Sequence, residues 1–321
     1  VRFRPSRGGG HKPGAPFRNI QYGTAQPIFF NIKDFYIPIV VDKFELGVLN
    51  NGPDMIFDRL DEVMTSAFET AGQMTEIALY FPGSGNSFLQ NINGLAEICQ
   101  DGVGGGTGTG ATSWDGGTYT TYGELSRTDG SLWNNAVKGR CTDVNAAISF
   151  SRLNSTYTNV KYGTVMPDIG LSTEKFMAYV IDKFQTQQRF TETTEPTIGF
   201  QGFKFQKATM MATRYCPGSE ISASSATVND PVAYEWIVTT TVDEVTPLNV
   251  YPTVTGETLW WINSADETLH MYTSSNPIWQ LGFEDFIPDT ETDELVGRLR
   301  LAWQIVCTET RKLAQVKRIL A

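Results

Sequence analysis

Between Ile28 and Val41 the chain is rich in Ile, Val, Phe and Tyr, with Pro27 before the segment and Pro38 inside it. Residues of this kind predict a strand. The prolines confine it to an edge or outlying position, because they cannot donate to a hydrogen-bond ladder. Upstream, Gly8 to Gly10, Pro13, Gly14 and Pro16 exclude a helix. Residues 1–42 are therefore expected to form an extended arm with too little core to stand alone, lying on a surface such as a neighbouring copy. Beyond it the period changes. Ile56, Leu60, Met64, Ala67, Ala71, Met74 and Ala78 recur every three or four residues, and Phe57, Val63, Phe68 and Ile77 widen the stripe. Pro53 suits a first helical turn, Asp54 its positive end, and Pro82-Gly83 a stop. One helix over 51–81 is predicted, a strut roughly 40 Å long at 1.5 Å per residue.

Two further helices are expected, one capped by Thr142 over 143 to about 153 and one capped by Ser172 through about Phe184. Elsewhere strand and turn alternate. Tyr234, Trp236, Val238, Thr240 and Val242 share one face of a predicted strand, and Leu299, Leu301, Trp303, Ile305 and Cys307 share one face of another. The second is long enough to act as a rib. In Trp260-Trp261 adjacent side chains point to opposite faces, so one is expected in the core and the other at a surface or interface. Residues 102–117 are glycine-rich and end in Trp-Asp-Gly-Gly, which is turn chemistry, so a surface loop is expected there and not a nucleotide cradle.

The 321 residues carry 40% hydrophobic and 19% charged side chains, ordinary for a folded domain, and no apolar run is long enough to cross a membrane as a helix. The opening residues Val1 to Arg7 hold no apolar h-region, so no signal peptide is expected within them, and a start at Val1 is that of a chain with something upstream removed or omitted. Net charge is −10, unevenly placed. Arg2, Arg4, Arg7, Lys12 and Arg18 fall within the first 18 residues, where there is no acid. Arg298, Arg300, Arg311, Lys312, Lys317 and Arg318 face only Glu309 in residues 298–321. The ends are either solvated tails or surfaces for an acidic partner or another copy.

Little of the sequence suggests chemistry. Cys99, Cys141, Cys216 and Cys307 form no Cys-x-x-Cys pair and are expected as reduced, mostly buried thiols. His11 and His270 stand apart. Ser172-Thr173-Glu174-Lys175 matches a Ser-x-x-Lys nucleophile motif, but its companion motifs are missing, and a helix cap explains Ser172 better. Glu284, Asp285, Asp289, Glu291, Asp293 and Glu294 lack the spacing of a calcium loop and read as a solvated acidic loop. No catalytic, cofactor-binding or metal-binding residue is assigned, and no cofactor is expected.

In sequence order several segments resemble the major capsid proteins of tailed bacteriophages, the Hong Kong 97-like capsid family. They are the arm of residues 1–42, Glu45-Leu46 through Asn50-Asn51-Gly52-Pro53 leading into the long helix, and Asn93-Gly94-Leu95. Then come Thr121-Tyr122-Gly123-Glu124-Leu125-Ser126-Arg127, Leu132-Trp133-Asn134-Asn135, Ile198-Gly199-Phe200 to Tyr215-Cys216-Pro217, and Gly297-Arg298-Leu299 to Leu320. The family often has Tyr-Gly-Gly-Ile-Asp-Arg where Glu124 and Ser126 stand here, and it normally has a further arm before the extended loop.

The resemblance implies an α+β chain without enzymatic activity. It divides into an extended loop (1–42), a peripheral domain with the spine helix at about 51–81 (43–140), an axial domain (141–290) and a closing strand of the peripheral domain (291–321). It further implies pentamers and hexamers forming an icosahedral shell in the virion, assembled in the host bacterial cytoplasm. Implied partners are a portal, scaffold or decoration proteins, and packaged double-stranded DNA held without sequence specificity. Arg2, Arg4, Arg7, Lys12 and Arg18 are the candidates for contact between subunits. Rival readings are an encapsulin-type nanocompartment shell and a β-rich carbohydrate-binding or carbohydrate-cleaving protein.

Overall fold

The computed structural model describes residues 26–44, 59–83, 92–104, 108–109, 112–128, 137–161, 165–185, 202–219, 254–264, 268–288 and 293–320. In chain order the elements are β1 (Lys33–Asp42), α1 (Arg59–Tyr80), α2 (Leu95–Ile98), β2 (Gly108–Thr109), β3 (Thr121–Tyr122), β4 (Leu125–Ser126), β5 (Arg140–Ala147) and α3 (Phe150–Val160). After these follow β6 (Ile169–Ser172), α4 (Glu174–Gln185), β7 (Gly202–Phe205), β8 (Ala208–Ala212) and β9 (Glu257–Ile262). The last elements are β10 (Leu269–Thr273), β11 (Gln280–Pro288), β12 (Glu294–Cys307) and β13 (Ala314–Leu320). The predicted strand around Tyr234 to Val242 and the first turns of the predicted helix, 51–58, lie outside the described residues.

The rib predicted at Leu299–Cys307 is β12, which begins five residues earlier and organises a four-stranded sheet. On one side β1 runs antiparallel to it from Lys33↔Trp303 to Asp42↔Glu294; on the other lie β10 and β11. β1 is thus an edge strand, which is where Pro38 is tolerated. Leu299, Leu301, Trp303, Ile305 and Cys307 are all buried on one face, as their alternation predicts. The helical stripe beyond the arm becomes α1, whose Ala67 packs with Ile39 and Val41 of β1 beside Phe283 and Phe286. Its last turn enters the main core through Ile77, Ala78 and Tyr80. Gly94 lies against the end of α1, where an added Cβ would collide with the carbonyl oxygens of Leu79 and Phe81.

The second sheet has seven strands in the order β2-β5-β13-β9-β6-β8-β7. One face packs α3 and α4 over Leu259, Trp261, Val316 and Met210. The other supplies Trp260 and Ile262 to the main core, where they meet Leu301, Trp303 and Ile305 of the first sheet. Trp260 and Trp261 do point to opposite faces, but neither reaches a surface: both are fully buried, each in a different core.

Two helix starts differ from expectation. Thr142 caps nothing, because residues 140–147 form β5, parallel to β13; the helix begins at Phe150, and Ser149 accepts the capping bond from the Arg152 amide. Ser172 belongs to β6, and Thr173 caps α4 by accepting from the Phe176 amide at 3.1 Å. Segment 291–321, expected as one closing strand, divides between the sheets: β12 lies beside β1, and β13 lies between β5 and β9.

Candidate assembly surface

The bases near the C-terminus are not a solvated tail. Lys312 is buried and pairs with Glu309 at 2.7 Å. Lys317, also buried, donates to Thr112 Oγ1 at 2.7 Å and to the Ser113 carbonyl at 3.2 Å. Arg318 makes an ion pair of 2.5 Å with the buried Asp143 carboxylate. The acidic loop is likewise partly an internal device. Glu284 sits 3.0 Å from Arg300 and 3.8 Å from Arg298, and Asp293 pairs with Lys43 at 2.9 Å. Arg2, Arg4, Arg7, Lys12 and Arg18, with His11, lie outside the described residues.

The other sequence candidates fall into structural roles. The end of the glycine-rich stretch is core: Ser113 and Trp114 are buried, and Trp114 Nε1 donates to the Tyr80 carbonyl at 2.9 Å. Ser172 Oγ donates to the Met211 carbonyl, while Lys175 reaches Ser219 Oγ at 2.8 Å. Ser219 in turn donates to the buried carboxylate of Glu257 at 2.5 Å, as does Thr173 at 2.6 Å. This grouping fastens the start of α4 to the start of β9. The four thiols are free and buried, and burial pushes Cys141, Cys216 and Cys307 up to about 12, so they stay protonated and unreactive. His270 lies on β10. Among the described residues no group of His, Cys, Asp and Glu is arranged to hold a metal ion, and no helix is long and apolar enough to cross a membrane.

One residue of the Tyr-Gly-Glu-Leu-Ser-Arg stretch holds several loops at once. Arg127 is fully buried, and its guanidinium donates to the carbonyls of Val137 (2.9 Å), Tyr119 (3.0 Å) and Ile98 (3.4 Å). It also lies 5.2 Å from the Tyr122 ring centroid. Burial lowers its pKa to about 10, partly countered by nearby Glu97. Glu97 accepts from Asn93 Nδ2 at 2.8 Å and from the Gly83 amide at 3.2 Å; burial raises its pKa. The arm is anchored just beside this knot: Phe30 stacks edge-on against Tyr122, and the Phe29 amide donates to the Gly123 carbonyl.

What the fold leaves outward is a surface suited to packing. On the face of β1 turned from the core, Tyr36 and Val40 are exposed beside Asp34 and Asp42, and exposed Ile32 and Phe44 flank the strand. In register with them stand Arg300 opposite Tyr36 and Val296 opposite Val40, and Val296 continues to exposed Ile287 on β11. Arg300 stacks over Trp279 at 4.8 Å. Exposed aromatic and aliphatic side chains interleaved with arginine are the composition of an interface core. Sequence reasoning placed the edge strand but not this face. The signal was the consecutive apolar residues Phe35-Tyr36-Ile37 and Ile39-Val40-Val41, of which every second one must turn outward once β1 is paired with β12.

No family model matches the sequence, and no curated protein matches it. Solved structures do. The chain superposes on the cyanophage A-1(L) capsid protein with a TM-score of 0.53 at 13% identity, over 89% of this chain and 76% of that one. The SrpI encapsulin of Synechococcus elongatus PCC 7942 gives 0.52 at 9% identity, over 90% and 75%. The capsid of the empty GTA particle gives 0.52 at 9% identity, over 98% and 81%. The fold is the Hong Kong 97-like capsid fold.

Proposed function

We propose that this chain is the major capsid protein of a tailed bacteriophage, assembling as pentamers and hexamers into an icosahedral shell around double-stranded DNA. The observation that carries this reading is the outward face of β1 and β12 on a fold shared with shell proteins. A chain that exposes Tyr36, Val40, Ile287 and Arg298 together on one sheet face has a surface to cover, and many repeated weak contacts sum to a stable shell. We assign the four-stranded sheet with α1 to the peripheral domain and the seven-stranded sheet, including β13, to the axial domain. The basic residues Arg2, Arg4, Arg7, Lys12 and Arg18 are proposed to contact a neighbouring subunit. Portal, scaffold or decoration proteins would complete the virion, assembled in the host cytoplasm.

The likeness to the SrpI encapsulin keeps a second shell reading in view, a nanocompartment holding protein cargo. The carbohydrate reading loses its motivation, because both tryptophans of the supposed stacking platform are buried. Negative-stain microscopy of the expressed protein, followed by nucleic-acid quantification of nuclease-treated particles from infected or lysogenic cells, decides. Closed shells containing protected DNA are expected. Shells that retain a co-purifying enzyme and no DNA would favour the nanocompartment, and a protein that stays monomeric at high concentration would end both shell readings.

A further inference from the structure

The four-stranded sheet turns an apolar face outward; the helix side of the seven-stranded sheet turns out chemistry of another kind. On α3 the buried positions are Leu153, Thr156, Tyr157 and Val160, so Ser151, Ser155, Thr158 and Asn159 form the outward crest, and all four are exposed. Basic side chains flank this crest on both sides. Arg152 lies along one flank, exposed, with its guanidinium donating to the Ala147 carbonyl. On the other flank the turn between β7 and β8 is fastened to the helix. Gln206 Nε2 donates to Asn154 Oδ1 at 2.5 Å, and the Phe205 ring stands edge-on to Phe150 and to Tyr157, each at 5.7 Å between centroids. These contacts hold exposed Lys207 beside α3. Exposed Lys161 closes the helix two turns on from Asn154, on the same side.

No acid interrupts this surface along the chain. Although the net charge is −10, neither Val144–Pro167 nor Pro196–Ser219 contains an Asp or Glu. Asp168, the next acid after α3, turns its carboxylate to Ser264, accepting from the amide at 2.7 Å and from the hydroxyl. On α4 the charges are mixed, with Glu174, Asp182 and Lys183 exposed. Hydroxyls and amides between basic side chains are poor material for the core of a protein contact, which is depleted of Lys and Ser and enriched in aromatic groups. They are the groups that position a protein on nucleic acid, where Arg, Lys, Ser, Thr and Asn supply many of the bonds to phosphate. From Arg152 to Lys161 the helix rises about 14 Å at 1.5 Å per residue, roughly four steps of 3.4 Å along one DNA strand, so its two ends can meet separate phosphates. We infer that α3 and the β7–β8 turn face the interior of the shell, and that Arg152, Lys161 and Lys207 contact the phosphate backbone of packaged double-stranded DNA without regard to sequence. This rests on the reading of the chain as a DNA-filled shell and names the surface that meets the genome.

The test is lysine accessibility in filled and emptied particles. Both are labelled briefly with an amine-reactive acetyl ester, and each lysine is quantified by mass spectrometry. Lys161 and Lys207 should be labelled several-fold less in filled shells. Lys204 is exposed and, one residue before buried Phe205, points to the opposite face of the sheet, so it should be labelled equally in both. Equal labelling of Lys161 and Lys207 in filled and emptied shells overturns the inference, and low labelling in both would make this face a contact between copies. In parallel, Lys161→Gln combined with Lys207→Gln leaves the Arg152 and Gln206 contacts in place. Subunit melting temperature and the yield of empty shells should stay at parent values. For a random-sequence duplex, the slope of log affinity against log salt should fall by about 1.8, two phosphate contacts at ~0.9 each. An unchanged slope in the double variant also overturns the inference. Particles free of DNA would end the DNA-filled shell reading and this inference together, whereas filled particles with unprotected lysines end this inference alone.

Discussion

Arg127 shows how a single side chain can settle the geometry of a region with little regular structure. Its three carbonyl partners come from the end of α2, from the approach to β3 and from Val137, segments that share no strand pairing. A lysine at this position would offer a point charge with no planar fork and would not span the three acceptors. The neighbouring hairpin turn is less well matched to its residues. Gly123 and Glu124 both have positive φ, +54° and +68°, as a two-residue turn of type I′ requires. Gly123 cannot change, because a Cβ there would press on Ile28 and Phe30 of the arm. Glu124 has no such constraint, and an L-residue in this region costs roughly 1–2 kcal/mol. Part of that is recovered through the stiffer unfolded chain. Glu124→Gly, which restores the paired glycines common in the family, should therefore stabilise the subunit by about 0.5–1 kcal/mol. The check is the denaturant midpoint at unchanged slope, and a lower midpoint would show that the Glu124 side chain contributes more than its backbone strain costs.

The long helix and the long strand were legible in the sequence because each is amphipathic over many residues at a constant period, which no local signal contradicts. β5 was not. Thr142-Asp143-Val144-Asn145-Ala146-Ala147 reads as a capped helix start, and its strand conformation comes from parallel pairing with β13, some 170 residues later in the chain. Asn145, with φ of +42°, would also break a helix. The two tryptophans failed in another way: alternation gave their opposite directions correctly, but a single chain does not reveal that both faces of the sheet are covered. The pairing of the C-terminal bases with Asp143 and Glu284 was equally out of reach, because neither acid is a near neighbour in sequence, whereas Glu309 stands three residues from Lys312. For α1 the continuity is testable. Ala71 is fully buried, and its carbonyl accepts from Thr75 Oγ1 at 2.7 Å. Ala71→Pro removes a backbone donor and drives the ring into the preceding turn, a loss of ~3 kcal/mol or more. Soluble subunit should fall sharply in expression trials, and an unchanged melting temperature in the purified variant would mean that α1 is already broken near this point.

The charge distribution of the whole chain bears on assembly once the C-terminal bases are known to be paired internally. Lys312, Lys317 and Arg318 are held by Glu309, Asp143, Thr112 and Ser113, so residues 1–18, with five bases and no acid, are left as the most basic stretch of the sequence. If Arg2, Arg4 and Arg7 lie against a neighbour's acids, each exposed pair contributes only ~0.2–1 kcal/mol and is screened by salt. Repeated in every subunit, such pairs still bias orientation and assembly rate. If the same bases neutralised packaged phosphates, empty shells would gain nothing from them. The triple variant Arg2→Gln, Arg4→Gln, Arg7→Gln separates the two. Empty shells of the variant should dissociate at lower temperature than the parent, and the gap should narrow as ionic strength rises from about 10 mM, where the screening length is ~30 Å, to 1 M, where it is ~3 Å. DNA-filled particles should show the same gap, not a larger one. Empty variant shells as heat-stable as the parent at low salt, with filled particles alone weakened, would reassign the arm from its neighbour to the genome.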